Sequence, residues 1–461
     1  MTVTAPPRPR RLDRSDVLVL AAAGGAAALL VWLGMGLTFF ADEWAVISER
    51  SLTFDGLMQP FNEHWLAVAI LVYRAMLGVF GLHSYVPYIA LLALLHATVG
   101  LLVYALVRRR TLRPVAMGVA LIVLLFGSGF ENLFWGIQMD FVGATALGLG
   151  ALLLLDDLPT LPGPRRAAVA AAMLVVAVMT SGYGLFMVGL VGLDLLLDPR
   201  RRRWILALAA PVGVYGVWYL ALGRTGLGFA GDPMTASRAS AIPVFVFEGM
   251  SSAFGSAVGG GELVGHVVVV GVLAWCAYLS IWRRSVPSRA VACLLAIAVQ
   301  YVIVGLVRDQ LGLMAATYTR YAYLSGMLAL ITLASLVGRP EIPRRLVPRA
   351  LALGLTVLGL SLVWNVALLV EGRELFAKRA DMTRALVTAG LRRPLPAETD
   401  PARTLVLVPS PKDLEWITAQ FGSPVTDSLV PGAVRPIPPD IQTEADRRVR
   451  FGAPVPTVDG N

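Results

Sequence analysis

The feature that most constrains this chain is a rhythm: apolar runs of roughly twenty residues alternate with short clusters of arginine. A run of that length crosses a bilayer as a helix, because ~20 residues rising 1.5 Å each cover the ~30 Å hydrocarbon core. Only internal hydrogen bonds can satisfy the backbone there. With 57% hydrophobic and 15% charged residues over 461 positions, the sequence predicts an all-α polytopic membrane protein. A formal charge of +9 often marks nucleic-acid binding, but here the arginines stand between apolar runs. That is the positive-inside pattern, which argues topology and contact with anionic membrane lipids. Cys276 and Cys293 lie inside apolar runs, so neither a disulfide framework nor a CxxC metal site is expected.

The basic clusters set the topology. They fall at Arg8–Arg14, Arg108–Arg113, Arg165–Arg166, Arg200–Arg203, Arg283–Arg289 and Arg339–Arg349. If all face the cytoplasm, an even number of crossings separates each neighbouring pair. Between 65 and 107 only one of two apolar stretches can then cross. Segment 85–107 is longer and uninterrupted, whereas the other carries Arg74, so 64–81 is expected to lie at or dip into the outer surface. Between 167 and 198 the same parity demands a hairpin, and Ser181-Gly182-Tyr183-Gly184 supplies its turn. Each arm is only ~15 residues, roughly 22 Å. The turn therefore falls below the outer surface, where irregular backbone needs protein or a water-filled cavity beside it. Eleven spans follow, near 17–40, 85–107, 114–129, 138–155, 167–181, 184–198, 204–222, 263–282, 289–307, 321–338 and 347–370. Residues 1–16 form a cytoplasmic tail, 41–84 and 223–262 large outer segments, and 371–461 a small or partly disordered extracytoplasmic tail. That tail holds one strand-like run (404–408) and one helix-like run (413–421).

This topology gathers ionisable groups outside. Asp42, Glu43, Glu63, His64 and His83 lie in the first outer segment, and Glu131, Gln138 and Asp140 lie within GFENLFWGIQMDF. Outer cations are few: Arg224, Arg238, Arg308 and Arg320, the last followed by Tyr321. Each alone has a plain alternative as an interfacial or snorkelling residue, and Trp44, Trp65 and Trp135 read first as belt aromatics. Together they suit a reaction with a hydroxyl nucleophile and an anionic, lipid-bound leaving group. A carboxylate would take the hydroxyl proton, and guanidinium groups would hold a departing phosphate. A phosphate leaves without a proton, so one base suffices and a single displacement inverts the anomeric carbon.

The order of features resembles the GT-C superfamily of membrane glycosyltransferases. The resemblance is carried by ADEW (41–44), PFNEHWLAVAILVYRAMLGVFGLHSY (60–85) and the helix ending VYALVRRR (103–110), with weaker likeness in FWGIQMDF (134–141) and TRYAYL (319–324). It implies a GT-C-like fold and hexosyl or pentosyl transfer from a polyprenyl-phosphate sugar to a cell-envelope glycan, lipid or protein. It gives Asp42 the base role, with Glu43 as the neighbour that could replace it. His64, Arg308, Arg320, Tyr321, Glu63, Glu131 and Gln138 are the expected donor and phosphate contacts. Some members use a divalent cation, which nothing in this sequence requires.

Two other classes compete. A transporter or flippase of lipid-linked saccharides would also want an outward cavity and phosphate-binding arginines, but it predicts ionisable residues at mid-membrane, and the spans hold almost none. A non-catalytic cell-envelope scaffold would show the same surface groups. P-loop, HExxH and GxSxG motifs are absent, which leaves ATP-driven transport, zinc proteolysis and a standard serine hydrolase unsupported. Arginine far outnumbers lysine (Lys378 and Lys412 only), a GC-rich coding bias that suggests a bacterial plasma membrane.

Overall fold

The computed structural model describes residues 13–451 apart from 63, 158–160, 227–235, 308–311, 340–342, 393, 403–406, 426–428, 430–431 and 433. Helices α1 (Arg14–Gly34), α2 (Asp42–Glu49), α3 (Phe54–Met58), α4 (Ala67–Phe80) and α5 (Val86–Arg108) come first. Then follow α6 (Arg113–Leu124), α7 (Glu131–Phe134), α8 (Met139–Leu154), α9 (Pro164–Thr180) and α10 (Tyr183–Leu196). Next are α11 (Ala209–Ala221), α12 (Ala236–Val258), α13 (Gly261–Tyr278), α14 (Ser288–Val307) and α15 (Thr319–Val337). The chain closes with α16 (Val347–Leu391), α17 (Pro411–Phe421) and α18 (Pro439–Phe451). No strand occurs among the described residues. An Asp13–Asp16 capping box opens α1, and proline in the first turn opens α5, α6, α9 and α16. These are places where a missing N–H costs nothing.

Nine helices among the described residues are long and apolar enough to cross a membrane, and the protein is multi-pass. Eight of them coincide with expected spans. The stretches expected at 114–129, 167–181 and 184–198 form shorter helices of 12, 17 and 14 residues, and the last two break at Ser181–Gly182 as the turn residues required. Helix α4, 14 residues or ~21 Å, is a short apolar helix of the same kind.

The ninth candidate, Ala239–Val258 within α12, falls where an outer loop was expected. Pro243 and scattered serines break its apolar pattern in sequence. Its start packs Ile242 and Phe245 on Gly305, and at its end the Ala257 carbonyl accepts from the Ser361 hydroxyl at 2.9 Å. Those contacts stand ~26 Å along α14 and ~21 Å along α16 from their arginine-marked starts. Helix α12 therefore runs obliquely within one half of the bundle. The last span is also longer than expected: α16 continues 45 residues without a break, ~67 Å. Of the expected strand, 404–406 lie outside the described residues and 407–408 are not strand, while the expected helix forms as α17. Trp44, Trp65 and Trp135 are buried in protein, not set in an interfacial belt.

The arginine clusters are more than topology marks. Asp156 is fully buried against Arg109 (3.2 Å), Arg110 (2.5 Å) and Arg289 (3.7 Å). Asp194 holds Arg201 (2.8 Å) and Arg289 (2.6 Å), and Asp157 and Asp198 share Arg200. Together they tie α5, α8, α10 and α14 at one end of the bundle. Removing one partner of a buried pair strands the other charge. Arg289→Met is expected to cost about 3–5 kcal/mol, measured as a lowered unfolding temperature in detergent. An unchanged unfolding temperature would show that the network contributes nothing.

Candidate active site

At the opposite end, where α1 gives way to α2 and α7 to α8, lies a cavity of about 280 Å³. Its polar wall is Asp42, Asn62, His64, Gln138, Asp140 and Arg320, with Tyr183 and Tyr321 beside them. Its apolar wall is Leu185 and Phe186 of α10, Tyr215 of α11, and Ile303, Val304 and Val307 of α14.

Backbone strain places the first two residues. Ala41 has φ +46° and Asn62 has φ +44°, a region where side chains cost of order 1–3 kcal/mol unless the surroundings enforce it. Three non-glycine residues with positive φ occur among the described residues, and two of them flank this cavity. The kink at Ala41 turns the chain sharply into α2, so that Asp42 starts the helix. Asn62 sits in a tight turn closed by paired Phe61–His64 backbone hydrogen bonds, both 2.9 Å, which aims His64 at the cavity. Gly182 makes room for it: a Cβ there would stand 2.4 Å from His64 Nδ1.

Glu43 goes the other way. Its carboxyl is fully buried and accepts from the Tyr73 hydroxyl (2.8 Å), the Tyr85 hydroxyl (2.9 Å) and the Phe40 N–H (2.8 Å). Tyr85 in turn accepts from the Gly136 N–H at 2.6 Å. Burial pushes the Glu43 carboxyl up to about 8, against the lowering effect of those hydrogen bonds and with help from the neighbouring charge of Asp42.

The remaining groups come from three more helices. Asp140 accepts from the Phe141 N–H (2.6 Å) and bonds the Ser181 hydroxyl. Gln138 accepts from the Asn132 amide at 2.9 Å. The Phe141 and Tyr183 rings stack at 4.1 Å, and the Tyr183 hydroxyl donates to the Arg320 carbonyl at 2.8 Å. Glu131 caps the start of α15, accepting from the Thr319 hydroxyl (2.9 Å) and the Arg320 N–H (3.2 Å), with Arg320 Nε at 3.6 Å. The Arg320 guanidinium lies over Tyr318 and Tyr321, and it donates no side-chain hydrogen bond among the described residues. Among the described residues no group of three or more His, Cys, Asp or Glu could hold a metal ion.

No protein-family model matches the chain, and no curated protein matches it. Among solved structures it is similar to the oligosaccharyltransferase of Archaeoglobus fulgidus in complex with zinc and sulfate. The identity is 13% over 82% of this chain and 55% of that one, with a TM-score of 0.44. The form of that enzyme tethered through a disulfide to an acceptor peptide with the NVT sequon gives 14% identity over 91% and 59%, with a TM-score of 0.43. The chain thus spans under two thirds of those proteins' length, and its activity has to be argued from its own residues.

Of the residues singled out in the sequence, Asp42, His64, Gln138, Arg320 and Tyr321 line this one cavity. Glu131 stands behind Arg320 and positions it. Glu43 is turned into the protein, and Glu63 and Arg308 lie outside the described residues. Asp140 was noted only as one acid in a turn, and Asn62 and Phe141 were not noted. Their signal is local: Asn62 lies within PFNEHW, and Asp140 and Phe141 end FWGIQMDF. The raised Glu43 carboxyl has a measurable consequence. The folded state keeps a proton that the unfolded chain releases near 4.5, so this contribution to stability is complete below that pH and is lost as pH rises through about 8. Glu43→Gln is expected to flatten that part of the pH–stability curve in thermal unfolding from pH 5 to 9. An identical slope in the variant would contradict the assignment.

Proposed function

We propose that this protein is an integral membrane glycosyltransferase of the GT-C type. In this reading it moves one hexosyl or pentosyl unit from a polyprenyl-phosphate donor to a hydroxyl acceptor on the extracytoplasmic face, with inversion. The observation that carries the reading is the division of one cavity into two walls. One wall offers a carboxylate and a guanidinium that donates no hydrogen bond among the described residues; the other is apolar and formed by α10, α11 and α14. A donor with a polar head and a hydrocarbon tail fits such a division, whereas a free sugar nucleotide has no use for the apolar side. The volume is near the lower end of the ~300–1,000 Å³ usual for ligand sites, which suits a single sugar unit.

In the proposed step the acceptor oxygen attacks the anomeric carbon while Asp42 takes its proton. The bond from that carbon to the phosphate oxygen breaks, and its electron pair leaves with the phosphate. Arg320 neutralises the charge that grows on the leaving group, which is where a preorganised cation lowers a barrier most. Glu131 keeps Arg320 aimed, and the two tyrosines under its guanidinium hold the plane. Asp140 and Gln138 accept from or donate to sugar hydroxyls, and the Phe141–Tyr183 pair gives the sugar a flat wall.

The test uses purified protein in lipid nanodiscs with radiolabelled polyprenyl-phosphate hexoses and pentoses. Asp42→Asn is expected to lower turnover by about 10²–10⁴-fold, the usual contribution of a positioned base, with donor KM nearly unchanged. Arg320→Ala is expected to lower turnover and raise donor KM together. Wild-type turnover in Asp42→Asn would contradict the proposal.

A further inference from the structure

A second concavity, about 490 Å³, lies where α17 meets α2 and α4. The tail helix is firmly seated there. The Leu82 N–H donates to the Phe421 carbonyl at 2.7 Å, the Arg74 guanidinium lies over the Phe421 ring at 6.0 Å, and Gly81 (φ +58°) lets the Phe421 carbonyl approach where a Cβ would be 2.3 Å away. The groove's floor is Ser48, Glu49, Arg50 and Ser51 at the end of α2, and its rim is Trp416 and Gln420 of α17.

The chemistry of that lining is specific. Trp416 is 39% exposed, with its indole N–H tied to Asp413 at 3.3 Å. Glu49 and Gln420 are exposed and make no side-chain hydrogen bond among the described residues. The two arginines are already occupied: Arg50 donates to the Gln59 and Pro60 carbonyls, and Arg74 to those of Val46 and Ile47. The groove thus offers an aromatic face, a carboxylate and a carboxamide beside two arginines that backbone carbonyls hold in place. A neutral ring with one apolar face and several hydroxyls finds a matching partner for each part.

We propose that this groove is a saccharide subsite, in which a sugar ring lies on Trp416 while Glu49 and Gln420 hydrogen-bond its hydroxyls. Helix α2 runs from Asp42 in the cavity to Glu49 in the groove, ~10 Å, a distance a short glycan bridges. The saccharide is accordingly the acceptor, held by the C-terminal tail with its reacting hydroxyl at Asp42. Assigning it as acceptor rests on the proposed base role of Asp42; the saccharide site itself does not.

Saturation-transfer NMR on the full-length protein in nanodiscs, with manno-, gluco- and arabino-oligosaccharides as probes, tests this without turnover. Binding is expected to wild type. Trp416→Ala is expected to raise Kd by about tenfold, Trp416→Phe to recover most of that loss, and Gln420→Ala to raise Kd several-fold in a protein of unchanged unfolding temperature. A Kd untouched by both Trp416→Ala and Gln420→Ala overturns the site, as does absence of binding by any probe at millimolar concentration. If binding behaves as expected while Asp42→Asn keeps full transferase activity, the subsite stands and the base assignment falls.

Discussion

The cavity depends on Glu43. This carboxyl joins the start of α2 to α4 through Tyr73, to the start of α5 through Tyr85, and to the turn before α8 through the Tyr85–Gly136 bond. It also bonds the Phe40 N–H, just before the strained Ala41. With the Trp135 indole N–H on the Phe40 carbonyl, that anchor holds the chain in the positive-φ turn that puts Asp42 at the mouth of the cavity. Two adjacent acids therefore divide one task. One is buried and hydrogen-bonded, its carboxyl pushed up by burial; the other faces the cavity. Strain at Ala41 and burial at Glu43 are the energetic cost of holding Asp42 in place, and such costs persist where geometry is functional.

The two ends of the bundle handle charge in opposite ways. At the arginine-rich end each buried aspartate has guanidinium partners, and around Asp156 those partners win over burial to keep the carboxyl ionised. That end is closed and load-sharing. At the cavity end Arg320 has Glu131 at its Nε side and also feels the charge of Asp42, and its guanidinium donates no hydrogen bond among the described residues. Burying a cation with unspent donors is unfavourable unless a ligand uses them.

Much of this was legible in the sequence, and the reason is sidedness. Counting crossings between arginine clusters predicts Asp42, His64, Gln138 and Arg320 on one face, and the structure lines one cavity with all four. The Ser181–Tyr183 break was legible too, because a run too short for two full spans needed a polar recess beside its turn. What sequence could not give was direction. Asp42 and Glu43 are adjacent and chemically alike, and only the strained turn decides which one faces the cavity. Helix α12 was hidden by Pro243 and its serines, which read as a loop until α14 and α16 supply the packing. The tail looked like an appendage because its contacts with α2, α4 and the α4–α5 turn are long-range.

The central claim is that the cavity receives a lipid-linked phosphate, and a density map of the purified protein with a polyprenyl monophosphate tests it most directly. The account predicts the phosphate within hydrogen-bonding distance of Arg320 and the first isoprene units between α10, α11 and α14. A phosphate bound elsewhere, with the cavity filled by solvent alone, would contradict it.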